Sequence, residues 1–441
     1  MNKYILLLLL AVIGHVSPAQ TIQTLEKDMY GIASDGTEGR FTGSPGYLRA
    51  AHYVIGQLKA AGIQPGWTDE SGRRTYLQPV PFIWDDYTGS ALSINGVLYR
   101  HNGYKFIVAQ AGVAPGTIVQ SPLFIGNGSE EDYSGMDAAG KWVVLSQVDS
   151  LGRALLARHR VAGVVLLPDE NQAKDWETTV IRQYRFGYMH YVPDGVPALA
   201  GIPYILVSPD LARLLVKGVH LAVRLTRKQE HVTAYNVIAV MPGIDPDLKD
   251  QTIVVGAHLD HLGKIGNHIY NGANDDASGC VAELGAAKAL GASPCKRTVL
   301  FVFYTGEELN LKGSRWFVDH LAVPATHMLM NINLEQVGSK HRSFPGIWAV
   351  STPGFEKVFY ESGKVFPDSD LKYTPADSLM NEISNTDSYS FINKNVPSVL
   401  LSSGGFSDHH TVLDKIDLID FEHLRKATVL LDSMVEELGN H

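Results

Sequence analysis

Cysteine is almost missing from this chain. Cys280 and Cys295 are the only two among 441 residues, too few for a disulfide-built scaffold. The pair is not expected to join even to itself. Cys280 opens a helical pattern that begins after Gly279, and Cys295 lies beyond that pattern. At about 1.5 Å per residue such a helix separates its ends by roughly 15–20 Å, whereas bridged Cα atoms lie within about 7 Å. Two buried free thiols are expected. Basic runs are also lacking, and the net charge is −9, which argues against a nucleic acid or an anionic membrane surface as partner. No internal repeat, low-complexity tract or second long apolar segment follows the N-terminus.

What is present begins with a leader pattern over residues 1–19. Lys3 supplies a positive start, Ile5 to Ile13 an apolar stretch, and Ser17-Pro18-Ala19 a small-residue cleavage site. The apolar stretch is shorter than the roughly 20 residues needed to span a bilayer, and no cysteine follows it for lipid attachment. A signal peptide is expected, and with it export to the periplasm or the outside. The remainder, with 45% hydrophobic residues, can bury cores for two or three domains.

Three textures follow. Residues 20–83 start helically: Tyr47 to Ala61 has helical apolar spacing, and Gly62 stops it. Glu38 and Arg40, in the turn-rich loop before it, are expected to pair with each other. Residues 84–233 carry short β-rich runs between Gly, Pro and Asp turns, with scattered histidines and no cluster of ligating residues. They are read as an inserted mixed domain without catalytic chemistry. Residues 234–441 alternate continuous apolar runs (NVIAVMPG, TIVVGAH, TVLFVFYTGEE, MLMNINLEQVG, SVLLSSGG) with helical patterns at 277–290, 312–321, 355–365, 382–393 and 421–438. Continuous apolar runs are strands covered on both faces. The expected fold is α/β, a mostly parallel central sheet sandwiched by helices, formed by 20–83 and 234–441.

The polar residues fall at the ends of those strands. His258 closes TIVVGAH, and Glu307-Glu308 follows TVLFVFYTG. Glu335 closes MLMNINL, His409-His410 follows SVLLSSGG, and Asp275 lies on a loop returning to a helix. In open α/β sheets the ligand crevice lies beyond the carboxyl ends of the strands. Two imidazoles and three carboxylates suit two divalent metal ions with one carboxylate shared. Such a pair can activate water and polarise a carbonyl, and a further carboxylate must take the proton. Adjacent Glu307 and Glu308 can divide these roles.

Together the segments HLDHLG, GANDDASG, YTGEELNLKGS, NINLEQVG and SDHHTVLDKID resemble the M28 family of zinc-dependent aminopeptidases. The loop EGRFTGSPG and the inserted segment look like exported members that carry a protease-associated (PA) domain. The resemblance implies two Zn2+ ions. It makes His258 and Glu335 ligands of one, Glu308 and His410 ligands of the other, and Asp275 the bridge. Glu307 would be the general base, and Asp260 would fix the His258 tautomer. Two positions depart from the family pattern: Glu335 stands where an Asp is usual, and His409 where an aromatic residue is usual. Asp387 is a candidate for substrate contact or ligand support, or else a helix cap. His261, His268 and Asp276 are read as supporting residues.

Three functions compete on these residues. A dizinc aminopeptidase acting on peptides with a free N-terminus is favoured, because every ligand position can still coordinate. A single-zinc glutaminyl cyclase, or a non-catalytic binding protein on the same scaffold, is the alternative. Few basic residues accompany the motifs, and Lys312 and Arg315 are expected to face solvent, which leaves little to hold a substrate carboxylate.

Overall fold

The computed structural model describes residues 17–110, 116–120, 123–124, 126–146, 150–195, 202–216, 219–321, 327–375 and 383–441. Most of the expected leader, residues 1–16, lies outside them. The strand Thr252–His258 is buried at all seven positions, as its unbroken apolar sequence requires. It sits at the centre of a ten-stranded sheet.

In chain order the main strands are β1 (Leu77–Asp86), β2 (Met189–Tyr191), β3 (Lys228–Met241), β4 (Thr252–His258), β5 (Thr298–Tyr304), β6 (Met328–Glu335), β7 (Ile347–Ser351), β8 (Leu371–Pro375) and β9 (Ser398–Ser402). Their spatial order is β2-β1-β3-β5-β4-β6-β9-β7-β8, and Gln64–Pro65 adds a short pairing to β3. The centre is parallel, with β4 between β5 and β6 and with β9 beside β6. The flanks are largely antiparallel, so the sheet as a whole is mixed. The reason is connectivity. β1 carries the chain out into residues 87–227 and β3 brings it back, and the two pair from Lys228↔Asp86 to Val237↔Leu77 as one antiparallel ribbon. The boundaries at 83/84 and 233/234 fall inside that ribbon.

Helices α1 (Ile22–Ala33), α2 (Pro45–Ala60), α3 (Ala277–Leu290), α4 (Lys312–Asp319), α5 (Glu356–Ser362), α6 (Ser388–Ile392) and α7 (Phe421–Asn440) cover the sheet. Alternate strand residues face opposite ways. Ile253, Val255, Phe301 and Phe303 join the core under α1, α2, α3, α5 and α7, while Val254, Leu300 and Val302 pack toward α4 and α6 through Phe317 and Phe391. Helix starts carry their own signals. Ser44 caps α2 with Pro45 in its first turn, and Asp276 and Asp420 cap α3 and α7.

The inserted segment forms a five-stranded and a four-stranded sheet around its own apolar cluster. That cluster also takes in Leu262, Ile265 and Tyr270 from beyond β4. β2 leaves the insert to pair with β1 at the edge of the main sheet. At the neck, the buried Asp85 carboxylate accepts from Arg227 and Gln229 and lies 3.0 Å from His190 Nε2. Both cysteines are buried and free.

Candidate metal centre

Parallel pairing puts the carboxyl ends of β4, β5, β6 and β9 on one edge, and the ligating side chains stand there. His258 ends β4, Glu335 ends β6, Glu307 and Glu308 follow β5, and His409 and His410 follow β9. Asp275 comes from the loop before α3. Its backbone N–H and that of Asn274 donate to Asp414, at 3.0 and 2.8 Å. Asp276 caps α3 and also accepts from Gln336 N–H at 3.0 Å, which ties the helix start to the end of β6.

Two groups of donors result. His258, Asp275 and Glu335 form one, and His261, Asp275, Glu308 and His410 form the other; within each group the donor atoms lie within 4.8 Å of one another. His258 Nε2 is 3.1 Å from Asp275 Oδ1. His410 Nε2 is 3.2 Å from both Asp275 Oδ2 and Glu308 Oε2. Glu307 belongs to neither group, its Oε2 standing 3.8 Å from His258 Nε2. All these residues but His410 and Glu335 are buried. The sites open on a cavity of about 490 Å3 whose walls include Phe186, Leu311, Trp348, Val350 and Leu400.

The electrostatics separate the two adjacent glutamates. Burial, reinforced by Glu335 and Glu308, pushes Glu307 well above the usual carboxylate range despite His258 nearby. Glu308 goes the other way: burial opposes its charge, but His410 and the Arg185 guanidinium hold it well below that range. Glu335 is pushed well up by burial. Asp275 is also buried, yet the hydrogen-bonded His258 and the nearby His409 and His410 hold it well down. So many carboxylates cannot share a dry site without compensating positive charge. Buried oxygens of Asp275, Glu308 and Glu335 meet no donor aligned for a hydrogen bond. Nitrogen and carboxylate donors at these separations are what zinc takes, so the residues fit divalent ions.

Several expectations change in detail. The His258 Nδ1 faces the Asp260 backbone carbonyl at 3.0 Å, with the carboxylate farther off at 3.9 Å. The Asp260 carboxylate instead accepts from Thr42 Oγ1 and from Glu307 N–H, at 2.8 and 3.2 Å. Burial pushes it up to about 6. Asp387 stands at the start of α6 but does not cap it with its side chain; it is buried and pushed up to about 7 by that burial. Glu38 pairs with Arg49 and not with Arg40. Arg40 is buried and donates to the Leu259 and Gly272 carbonyls, both at 2.8 Å. Lys312 does not face solvent: it pairs with Asp194 at 2.6 Å, and Arg315 pairs with the same carboxylate. His268 stacks on Tyr104 of the insert.

Arg185 joins the site from outside the ligand-bearing segments. It follows the insert helix Trp176–Gln183. Its Nε donates to the Glu308 carbonyl at 2.6 Å, and its guanidinium lies 3.2 Å from Glu308 Oε2. Nothing in its sequence neighbourhood marks it, because the contact depends on how the insert docks. Asp414 was at least visible, inside SDHHTVLDKID.

Residues 236–434 match the model for Peptidase family M28. The chain's likeness to that family lies in this segment. Among relatives, probable leucine aminopeptidase 2 of Aspergillus oryzae is 36% identical over 113 residues, 25% of this chain and 21% of that protein. The chain thus spans about a fifth of that relative. Probable lipoprotein aminopeptidase LpqL of Mycobacterium tuberculosis is 26% identical over 340 residues, 76% of this chain and 60% of that protein. The solved structure of BSAP, a zinc aminopeptidase from Bacillus subtilis, superposes with a TM-score of 0.64 at 18% identity, covering 96% of this chain and 95% of the other. That likeness shows a shared fold, with the inserted segment included in its span.

Proposed function

We propose that this chain is an exported metallo-aminopeptidase that holds two zinc ions and removes N-terminal residues from peptides. The observation that carries this reading is the pair of donor groups meeting at Asp275, beside a glutamate that neither group uses. His258 and Glu335 would hold one ion, Glu308 and His410 the other, and Asp275 would bridge. Bound there, the ions would polarise the scissile carbonyl and make water nucleophilic at neutral pH. Glu307 is the base. Its raised proton affinity suits it to take a proton from water and pass it to the leaving amine. Asp260 positions it by accepting its backbone N–H. Relatives that carry aminopeptidase names support the peptide substrate.

A chain-end preference follows from charge. Glu307, Glu308, Glu335 and Asp275 line the cavity, and Arg185 is the one guanidinium among its described lining residues, already paired with Glu308. A substrate amine finds several partners here and a substrate carboxylate few. The leader pattern at 1–19 supports export to the periplasm or the outside, and among the described residues no helix is long and apolar enough to cross a membrane.

The test has two arms. Chelation should abolish activity and zinc should restore it, with close to two ions bound at saturation. One peptide is then digested in free and N-acetylated forms and the products are read by mass. Trimming of the free form from its N-terminus, with the blocked form spared, is expected. Release of C-terminal residues from the blocked peptide would sink the aminopeptidase reading while leaving the metal centre standing.

A further inference from the structure

The two donor groups are unequal, and His261 makes them so. It follows Asp260 on the loop beyond β4, and its ring is wholly buried. Its Nδ1 stands 2.8 Å from Glu308 Oε1 and 3.6 Å from Asp275 Oδ2. A plain hydrogen bond does not account for this approach, because neither ring nitrogen is aligned on an acceptor or donor. A buried imidazole left without an aligned hydrogen bond is costly, and its surroundings hold it in that place. Arg40 ties the Leu259 carbonyl to the Gly272 carbonyl, joining the two loops on either side of the ring. Gly272 itself leaves room for the ring: a Cβ there would come within 2.4 Å of the His261 Cγ.

The separations match a coordination polyhedron. Zinc bonds of about 2.0–2.1 Å in a tetrahedron place the ligand atoms ~3.3–3.4 Å apart. His410 Nε2 is 3.2 Å from Asp275 Oδ2 and 3.2 Å from Glu308 Oε2, and His261 Nδ1 brackets the same edge length with its 2.8 and 3.6 Å contacts. His409 is the rival imidazole, with Nε2 3.1 Å from Asp275 Oδ2, but it is 45% exposed and stacked on His410. It joins neither donor group.

We infer that His261 is a fourth protein ligand on the Glu308/His410 side, closing that side around its ion while the three-donor His258/Glu335 side keeps the open position. The inference rests on the two-ion reading above. Four protein donors make the closed set of tightly held zinc, and three donors leave a place for water or substrate. The ion beside His261 is then the tighter and slower to exchange. The ion beside Glu335 is the one a chelator takes first.

Three full-length proteins test this: the native chain, His261→Ala and His261→Cys, each titrated with zinc against a chromophoric chelator and with cobalt by optical absorption. The native chain should bind two ions with resolved affinities. His261→Ala should weaken the tighter one by about 100-fold or more, beyond the roughly 10–100-fold that a merely supporting residue costs. His261→Cys should show thiolate-to-cobalt charge transfer absent from the native chain, whose own Cys280 and Cys295 serve as the blank. Should the variants fail to fold, X-ray absorption on the native dizinc protein decides. Three imidazoles over two ions (His258, His261 and His410) is about 1.5 per zinc, against one per zinc without His261. Native affinity in His261→Ala, no charge transfer in His261→Cys, or one imidazole per zinc overturns the inference and spares the aminopeptidase reading. A native chain that binds no zinc overturns both.

Discussion

The main sheet and the inserted segment contribute to one site in opposite ways. In the sheet, β4 is buried along its whole length and the donors gather at the strand ends and the loops beside them. Every donor therefore has a fixed place relative to the backbone ladder. Among the described residues, the insert adds none to either donor group. It reaches the site through Arg185, with Phe186 on the cavity wall, both from a short turn between its helix and β2. The difference separates making a site from adjusting one. Strand ends hold ligands to within the tolerance a metal demands, whereas a docked segment can trim charge and shape without carrying the reaction.

Substitutions at the two places should show unequal losses. Glu307→Gln keeps size and hydrogen bonding but cannot take a proton, so kcat should fall by about 10²–10⁴ with the metal content of the native chain retained. Loss of metal in Glu307→Gln but not in Glu308→Gln would exchange their roles. Arg185→Gln removes a charge-assisted contact to Glu308 of the kind worth roughly 1.5–3 kcal/mol. Much of that is recovered by water at a partly open site, so kcat/KM should fall by about tenfold, with the zinc content unchanged. A loss as deep as that of Glu307→Gln would place the insert within the chemistry and end the distinction.

How much of this was legible in the sequence follows the same division. Strands covered on both faces announce themselves as apolar runs, and α3 occupies the expected 277–290. Each proposed ligand but Asp275 follows such a run, so the edge they share could be foreseen. What escaped depends on contacts between segments far apart in sequence. Arg185 meets Glu308 across 123 residues, and Arg40 meets the Gly272 carbonyl across 232. His261 sits one residue from Asp260, but its donor role depends on where Gly272 and Glu308 fall around it. The antiparallel flank was hidden for a similar reason, since β1 and β3 pair across the whole insert. The reach of the helical pattern at 382–393 is open at its first residue, 382, which lies outside the described residues; α6 itself is Ser388–Ile392.

The smallest expected effect asks whether the two parts unfold as one. Each contains a buried histidine remote from the metal centre. His101, in the insert, lies 3.3 Å from the Tyr188 hydroxyl, and His423, on α7, lies 2.7 Å from Ser403 Oγ. Burial pushes both down to about 4 from an ordinary 6.5. The fold refuses a proton that the unfolded chain accepts, so their contribution is complete above pH 6.5 and is lost progressively as pH falls toward 4. The apolar cluster shared between the insert and Leu262, Ile265 and Tyr270, together with the β1–β3 ribbon, couples the parts. A single calorimetric transition is therefore expected, its midpoint lower by roughly a few degrees at pH 5 than at pH 7. His101→Gln and His423→Gln should each remove a share of that pH dependence from the same transition. Two transitions, one answering only to His101 and the other only to His423, would show that the insert folds as an independent unit resting on the sheet that holds the site.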